Sequence, residues 1–215
     1  MHRVDFAGFG EQAIDFYEGL AADNSKAYWE DHKSIYEQQI RAPMLALLAE
    51  LEVEFGAGKV FRPYRDLRFS ADKSPYKTHC GAVIETPGAA RYVQLGADGL
   101  LVAGGAYRWS TGQLARYRQA VDEERSGTAL ERLLAAATAM QRGGSIVRGR
   151  PRGVLPTHPR LELLRHRSLY LWRRWPPDPA LHERASLDWV REGWRASQPL
   201  VDWIARHVGG AERPS

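Results

Sequence analysis

The spacing of apolar residues changes twice along the chain, and this change constrains the fold more than any other feature. Apolar residues recur at helical spacing up to Phe55, fit short strands between Val60 and Arg108, and return to helical spacing after Ser110. Separate runs of helices and strands are typical of α+β proteins. We therefore predict an α+β fold with a largely antiparallel sheet from the central segment, packed against N-terminal and C-terminal helices.

Two helices are predicted before residue 60. The first carries its apolar residues on one face, at Ala13, Phe16, Tyr17 and Leu20. The second begins after the capping residues Asp23–Ser25 and is expected to end at Gly56. Pro43 lies within it, and proline removes a backbone hydrogen bond and clashes with the preceding turn. We therefore expect this helix to be kinked or split at Pro43.

The central segment is expected to form an antiparallel meander. Its candidate strands are Val60–Phe69, Gly81–Thr86, Arg91–Leu95 and Leu100–Tyr107. The dipeptides Pro87-Gly88 and Asp98-Gly99 separate the later strands. Because aspartate and glycine both accept positive φ, Asp98-Gly99 predicts a type I′ hairpin turn.

The last third is predicted to be helical again. Ser110 with Gln113 and Thr128 with Glu131 have the spacing of capping boxes, so a helix is expected to begin at each pair. The remaining predictions are strands at Ser145–Val147 and Ser168–Trp175, and a last helix at Leu181–Val208 that bends at Pro199.

The length of 215 residues suits a single domain, which we predict over residues 1–210 with a disordered tail at 211–215. Cys80 is the only cysteine, which excludes an intrachain disulfide and favours the cytoplasm. The N-terminus has no apolar signal region, and the longest apolar stretch, Leu100–Tyr107, is too short to span a membrane. Histidines are scattered without ligand spacing, so no metal is predicted; cofactors and oligomeric state are left open.

Positive charge is concentrated in two zones, although the net charge is only +4. Residues 62–79 hold five Lys or Arg against two Asp, and residues 142–184 hold ten Arg against three acids. Such zones favour an anionic partner, either a small ligand or a nucleic acid. With 25 Arg against five Lys in the whole chain, the second zone is better explained by a general preference for arginine.

The segment Arg62–His79 is the candidate working surface. If it is extended up to Phe69, alternation places Arg62, Tyr64, Asp66 and Arg68 on one face, and Pro63, Arg65, Leu67 and Phe69 on the other. Arg65 then shares the core side, where a guanidinium needs a partner. We predict an acidic partner for Arg65 on a neighbouring helix, and a strong loss of stability in Arg65→Ala.

The residue types in this segment are those of an anion site. Arginine binds oxyanions bidentately and lysine adds a mobile charge, so the predicted ligand-binding residues are Arg62, Arg68, Lys73, Tyr76 and Lys77. The candidates for proton transfer are Asp66, Tyr76 and His79. In a purely structural alternative, Asp66 only neutralises Arg62 and Arg68.

The same stretch resembles the signature R-x-x-R-D-x-R-F-x-x-x-K-x-P-Y of a family of uncharacterised, mostly bacterial proteins, the domain-of-unknown-function family 2461. Its fixed positions are Arg62, Arg65, Asp66, Arg68, Phe69, Lys73, Pro75 and Tyr76. Further similarities are Phe6-Ala-Gly-Phe9, Asp23-Asn24 before Trp29, Pro151-Arg152-Gly153 and His158-Pro159. His79 stands where the family usually has Asn. The resemblance supports the segment as a site and implies no activity. From their positions, Arg65, Phe69 and Pro75 are predicted to have structural roles.

Three functions follow as alternatives. The leading one is binding of a small anion, a phosphate or carboxylate, on the Arg62–His79 segment. The second is nucleic-acid binding through the zones 62–79 and 142–184. The third is a protein-interaction module in which the signature is structural. Whether the protein is an enzyme is left open.

Overall fold

The computed structural model of the chain describes residues 5–66, 68 and 73–210. Its α-helices are α1 Ala13–Ala22, α2 Lys26–Ile35, α3 Ala42–Phe55, α4 Thr111–Asp122, α5 Glu124–Ala136, α6 Leu161–Leu164 and α7 Ala185–His207. Its strands are β1 Lys59–Val60, β2 His79–Thr86, β3 Ala89–Gly96, β4 Gly99–Ala106, β5 Gln141–Gly143 and β6 Leu169–Trp175. They form one antiparallel sheet in the order β1-β2-β3-β4-β6-β5, so the α+β prediction and its central meander are confirmed.

The chain divides into two compact units that alternate along the sequence. The first unit comprises Met1–Ile84, Tyr92–Val102 and Arg174–Glu192. The second comprises Glu85–Arg91, Ala103–Arg173 and Gly193–Ser215. The predicted single domain over residues 1–210 stays a prediction, and the predicted tail at 211–215 lies outside the described residues.

The first helices follow their predicted pattern. In α1 the four apolar residues Ala13, Phe16, Tyr17 and Leu20 are buried. Ser25 caps α2, because its hydroxyl oxygen accepts the backbone N–H of Tyr28 at 3.1 Å. Gly56 ends α3 with a φ of 93°, a conformation that glycine adopts at little cost. These three predictions are confirmed.

A π-helical turn, Tyr36–Arg41, separates α2 from α3, so the helix is split as predicted, but before Pro43, which lies inside α3. Pro43 lies in the first turn of α3 and has no N–H to donate to the carbonyl of Gln39, its i−4 partner in an α-helix. That carbonyl instead accepts the N–H of Gly10 at 2.9 Å. The Gln39 side-chain amide also exchanges hydrogen bonds with Gln12. Pro43 thus frees a backbone acceptor that holds the segment before α1.

The predicted strand Val60–Phe69 is wrong for the described residues. Only Lys59–Val60 form β1, and beyond them the pairing is reduced to a bridge between Tyr64 and Tyr76. Pro63 explains the interruption, because it cannot donate to a ladder of hydrogen bonds. Leu67 and Phe69, the last core-facing positions of that prediction, lie outside the described residues.

The type I′ turn predicted at Asp98-Gly99 is also wrong. Gly99 has a φ of 92°, whereas Asp98, like every other described non-glycine residue, has a negative φ. A type I′ turn needs positive φ at both central residues. Ala97 and Asp98 form the turn between β3 and β4, and Gly99 follows as a left-handed bulge residue.

The C-terminal third confirms one capping box and corrects the other. Ser110 and Gln113 cap α4 reciprocally. Thr128 lies inside α5, because the Glu123 carboxylate accepts the N–H groups of Arg125 and Ser126 and starts that helix earlier. The strand predicted at Ser145–Val147 is reduced to a bridge from Ile146 to His166, and β5 lies earlier, at Gln141–Gly143. The last helix also begins later than predicted, because a 3₁₀ turn, Pro179–His182, precedes α7.

The strand predicted at Ser168–Trp175 is confirmed as β6, and Pro199 lies inside α7 as expected. Across the described ranges, no helix combines the length and the apolar character that crossing a membrane requires.

Two charged side chains hold the backbone of Phe6, a buried residue of the first unit. The Phe6 N–H donates to the Glu50 carboxylate at 2.6 Å, and the Arg184 guanidinium donates to the Phe6 carbonyl at 2.8 Å. Arg184 also donates to Glu50 at 2.9 Å. Hydrogen bonds from Arg184 are the main reason that the pKa of Glu50 is lowered, which places part of the folding stability under pH control.

Glu50→Gln is expected to remove the pH-dependent contribution of this carboxylate to the free energy of unfolding. A lowered pKa in the folded state stabilises the protein above the ordinary glutamate pKa, and the contribution is lost as the pH falls through the lower folded value. The gap in free energy of unfolding between wild type and Glu50→Gln should therefore be largest at neutral pH and shrink towards about pH 3. Urea unfolding at several pH values measures it, with Glu52→Gln, an exposed position on the same helix, as control. A gap that does not change with pH would contradict this assignment.

Candidate functional site

The two ends of the Arg62–His79 segment lie side by side. The N–H of Arg65 donates to the carbonyl of Pro75 at 2.9 Å, and the N–H of Lys77 donates to the carbonyl of Pro63 at 2.8 Å. The antiparallel bridge from Tyr64 to Tyr76 lies between these two bonds. We call residues 61–66 and 73–79 the paired segment. Because its backbone is held in register, side chains from both ends are brought together.

One side of the paired segment is aromatic and packs against α2. The ring of Tyr76 stacks on Trp29 with 4.4 Å between centroids, and Tyr64 lies 5.5 Å from Tyr76. Only 5% of Tyr76 is exposed, and burial raises the pKa of its hydroxyl. The structure thus places Tyr76, predicted for ligand binding and proton transfer, mainly in packing.

Asn24 clamps the same residue from the turn before α2. Its amide nitrogen donates to the Tyr76 carbonyl at 3.1 Å, and its amide oxygen accepts the Tyr76 N–H at 3.0 Å. The side chain therefore satisfies both backbone groups, as a neighbouring strand would. Sequence reasoning treated Asn24 as a capping residue and missed this contact. The sequence signal for this contact is the pair Asp23-Asn24 before Trp29, one of the similarities to the family.

Asn24→Asp is expected to lower the free energy of unfolding by about 1–2 kcal/mol. The carboxylate loses the amide donor and turns an oxygen towards the Tyr76 carbonyl, so one hydrogen bond is lost and a repulsion replaces it. Chemical denaturation measures the effect, and Asp23→Ala, at an exposed position of the same turn, is the control. Equal stability of the two variants would show that the clamp contributes nothing.

The other side of the paired segment is cationic. Alternation from the Tyr64–Tyr76 bridge places Arg65, Lys77 and His79 on the face opposite the tyrosines. The ammonium of Lys77 donates to the Arg62 carbonyl at 2.8 Å and lies 5.3 Å from the centre of the Phe61 ring. Three of the segment's side chains, Arg65, Lys77 and His79, thus share one face, and Lys77 also contacts the backbone of Arg62.

The pKa shifts agree with this concentration of charge. Burial, and then the charge of Arg62, lowers the pKa of Lys77. Burial, followed by Lys77 and Arg65, lowers the pKa of His79, so this imidazole is neutral at pH 7. Burial and the neighbouring positive charges therefore both disfavour the protonated forms of Lys77 and His79.

Asp66 and Arg68 form a separate, exposed pair. The Asp66 carboxylate accepts from Arg68 Nε at 2.9 Å and from Nη2 at 2.7 Å, and also accepts the Arg68 backbone N–H. These hydrogen bonds lower the pKa of Asp66 and raise that of Arg68. Asp66 thus neutralises Arg68, as the purely structural alternative for this segment predicts.

The other residues predicted for the segment have varied surroundings. Lys73 is exposed, whereas Arg65 and Pro75 are half-buried. The acidic partner predicted for Arg65 stays a prediction. Phe69 lies outside the described residues.

Cys80 follows the segment in β2 and faces the π-helical turn. Its pKa is raised to about 11 by burial, which outweighs the opposing influence of the Tyr36 hydroxyl, Arg41 and Lys77. A thiol with so high a pKa is a poor nucleophile at neutral pH. In the described part of the chain, no group of three His, Cys, Asp or Glu side chains is arranged to hold a metal ion.

Part of the second basic zone, residues 142–184, is committed to internal contacts. Its ion pairs include Arg160 with Glu124 and Glu131, Arg165–Glu162, Arg174–Asp98 and Arg184–Glu50. An open cavity of about 230 Å³ in the second unit has Arg142 and Arg160 in its wall, together with Glu131 and Glu162. Four of the ten arginines of this zone are therefore paired with carboxylates.

The fold and the paired segment define an α+β protein whose meander sheet carries a cationic surface backed by buried aromatic rings. The family model described as "Conserved hypothetical protein (DUF2461)" matches residues 12–203, most of the chain. The chain belongs to this family, which confirms the membership inferred from the signature. No curated protein and no solved structure matches it.

Proposed function

We propose that the protein binds a small anion, a phosphate or a carboxylate, between Arg62 and Lys77. The observation that carries this proposal is the hydrogen bond from the Lys77 ammonium to the Arg62 carbonyl, which keeps two cationic residues together. Lys77 retains two N–H groups for a ligand. Arg62 is exposed, and its charge also contributes to the lowered pKa of Asp66. A guanidinium and an ammonium side by side suit an oxyanion.

The charge balance supports the same proposal. Asp66, the described carboxylate of the segment, is already occupied by the guanidinium of Arg68. Since Arg62 lowers the pKa of Lys77, the two cations destabilise each other, and a bound anion would relieve that repulsion. Binding should therefore raise the pKa of Lys77.

Of the three candidates for proton transfer, we favour His79. It lies beside Lys77 and is neutral at pH 7, so one ring nitrogen can accept a proton. Asp66 is held by Arg68 and Tyr76 is buried, which leaves both less suited to that role. We also infer a bacterial, cytoplasmic protein, supported by the family resemblance and by the single, buried Cys80.

Thermal unfolding with phosphate, pyrophosphate or citrate at constant ionic strength tests the proposal. Wild type is expected to show a saturable rise in Tm, equivalent to about 2.7 kcal/mol when the ligand reaches 100 times its Kd. Arg62→Ala and Lys77→Met should lose most of this rise. Arg132→Ala and Lys33→Met, at exposed positions on α5 and α2, should retain it.

Two results would count against a small-anion site. The first is a wild-type Tm that no small anion changes in a saturable way. The second is strong binding to DNA or RNA that weakens by about one log unit per neutralised phosphate for each tenfold rise in salt. The second result would favour nucleic-acid binding instead.

A further inference from the structure

A small aromatic surface adjoins the cationic side of the paired segment. Cys80 interacts with Tyr36 on the helix side of the sheet, so alternation places His79 and Gly81 on the opposite face. Tyr92 of β3 lies on that face, because a β-carbon on Gly81 would come within 2.6 Å of the Tyr92 hydroxyl. Phe61 lies next to it, with 6.4 Å between ring centroids. We call Phe61, Tyr92 and Gln94 the aromatic face.

This face is less covered than the other face of the same strand. Val93 and Leu95 of β3 are fully buried, whereas Tyr92 and Gln94 are half-buried in the described structure. Phe61 is 36% exposed, which is high for a phenylalanine beside a sheet. An accessible ring therefore lies directly beside Lys77.

Two details suit this face to a flat ligand. Gly81 lets the Tyr92 side chain lie across β2, since any side chain at position 81 would displace it. The Tyr92 hydroxyl donates to the Gln94 amide oxygen at 2.8 Å, which fixes the orientation of that amide. The Gln94 amide nitrogen keeps donors for the edge of a ligand. Aromatic rings and oriented amides are the groups that proteins use to bind a splayed nucleobase on a sheet.

We propose that the anion is the phosphate of a mononucleotide, whose base stacks on Phe61 beside Gln94. This inference rests on the proposed anion site, because Arg62 and Lys77 would hold the phosphate. Lys77 now lies over the Phe61 ring at 5.3 Å. Moving its ammonium towards a phosphate exchanges a cation–π contact for a charge-assisted hydrogen bond, and it uncovers the ring for the base.

A mononucleotide suits the dimensions better than a nucleic-acid strand. Proteins that bind single strands present successive stacking rings along a basic groove. The described side chains of this face offer one exposed ring, Phe61, with the half-buried Tyr92 next to it, beside one cluster of cations. Tyr64, the other exposed ring of the paired segment, lies on the opposite side, against Trp29.

Titration calorimetry with ribose 5-phosphate, nucleoside monophosphates and adenosine tests the inference. At least one nucleoside monophosphate should bind wild type about 10-fold or more tighter than ribose 5-phosphate, as expected from one stacked base. Phe61→Ala should lose that advantage and leave the affinity for ribose 5-phosphate unchanged. Tyr107→Ala, which removes a still more exposed ring in the second unit, should change neither affinity.

Phe61→Leu separates stacking from simple bulk, because leucine keeps the apolar volume and loses the π face. It should resemble Phe61→Ala in nucleotide affinity while keeping the wild-type Tm. Equal binding of ribose 5-phosphate and every nucleotide would overturn the nucleotide inference and leave the anion site standing. No binding of any phosphate would overturn both. If a short single-stranded oligonucleotide binds far more tightly than each mononucleotide, the ligand is a nucleic-acid strand and the mononucleotide inference is wrong.

Discussion

Trp29→Ala is expected to lower the free energy of unfolding by about 3–5 kcal/mol and to abolish anion binding. Trp29 is only 3% exposed, and its ring contacts those of Phe16, Tyr36, Tyr64 and Tyr76 at centroid distances from 4.4 to 6.2 Å. Removing it leaves a cavity where α2 supports the paired segment, so Tyr76 loses its stacking partner. The cations on the far side of the segment would then no longer be held in register.

The matched control is Trp203→Ala. Trp203 is 5% exposed and lies in the second unit, where its indole N–H donates to the Ser126 carbonyl. A similar loss of stability is expected there, but the rise in Tm caused by phosphate should remain. If both variants lose anion binding equally, destabilisation in general explains the result. If Trp29→Ala stays within about 1 kcal/mol of wild type, the ring does not support the segment.

The helices were largely predictable because their signals are local. Apolar spacing located α1, and a single residue, Ser25 or Gly56, marked the ends of its neighbours. Thr128 shows where such reasoning fails. Threonine is a common helix cap, yet Glu123 supplies the cap of α5 with a longer carboxylate side chain that reaches two backbone N–H groups. Only the path of the backbone decides between two such signals.

The candidate site was predictable in composition but not in arrangement. A dense run of cations indicated the right stretch, yet the pairing of Lys77 with Arg62 depends on a register set by the Tyr64–Tyr76 bridge. That register lies beyond local pattern, because Pro63 interrupts the strand that alternation assumed. Asn24 is likewise far from Tyr76 in sequence. The aromatic face was missed, since it joins Phe61, which follows β1, to two residues of β3 across Gly81 of β2.

Arg160 carries the other large expected effect. The side chain is only 5% exposed, and its Nε donates to the Val121 carbonyl at 2.8 Å where α4 leads into α5. Arg160→Ala is expected to cost about 3 kcal/mol, because it removes a charge-assisted hydrogen bond to a buried carbonyl together with a buried stem. The ion pairs with Glu124 and Glu131 add little, since both carboxylates are exposed. Arg132→Ala, an exposed arginine of α5, should stay within about 0.5 kcal/mol of wild type.

Gly127 offers an independent test of the same contact. A β-carbon at this position would overlap both the Arg160 Nε and the Val121 carbonyl oxygen. Glycine to alanine inside a helix normally stabilises it by up to about 1 kcal/mol, so a loss of stability in Gly127→Ala would be diagnostic. Because both substitutions break one contact, Gly127→Ala combined with Arg160→Ala should cost less than the sum of the two single losses in urea unfolding. Simple additivity would mean that Arg160 stabilises the protein through some other contact.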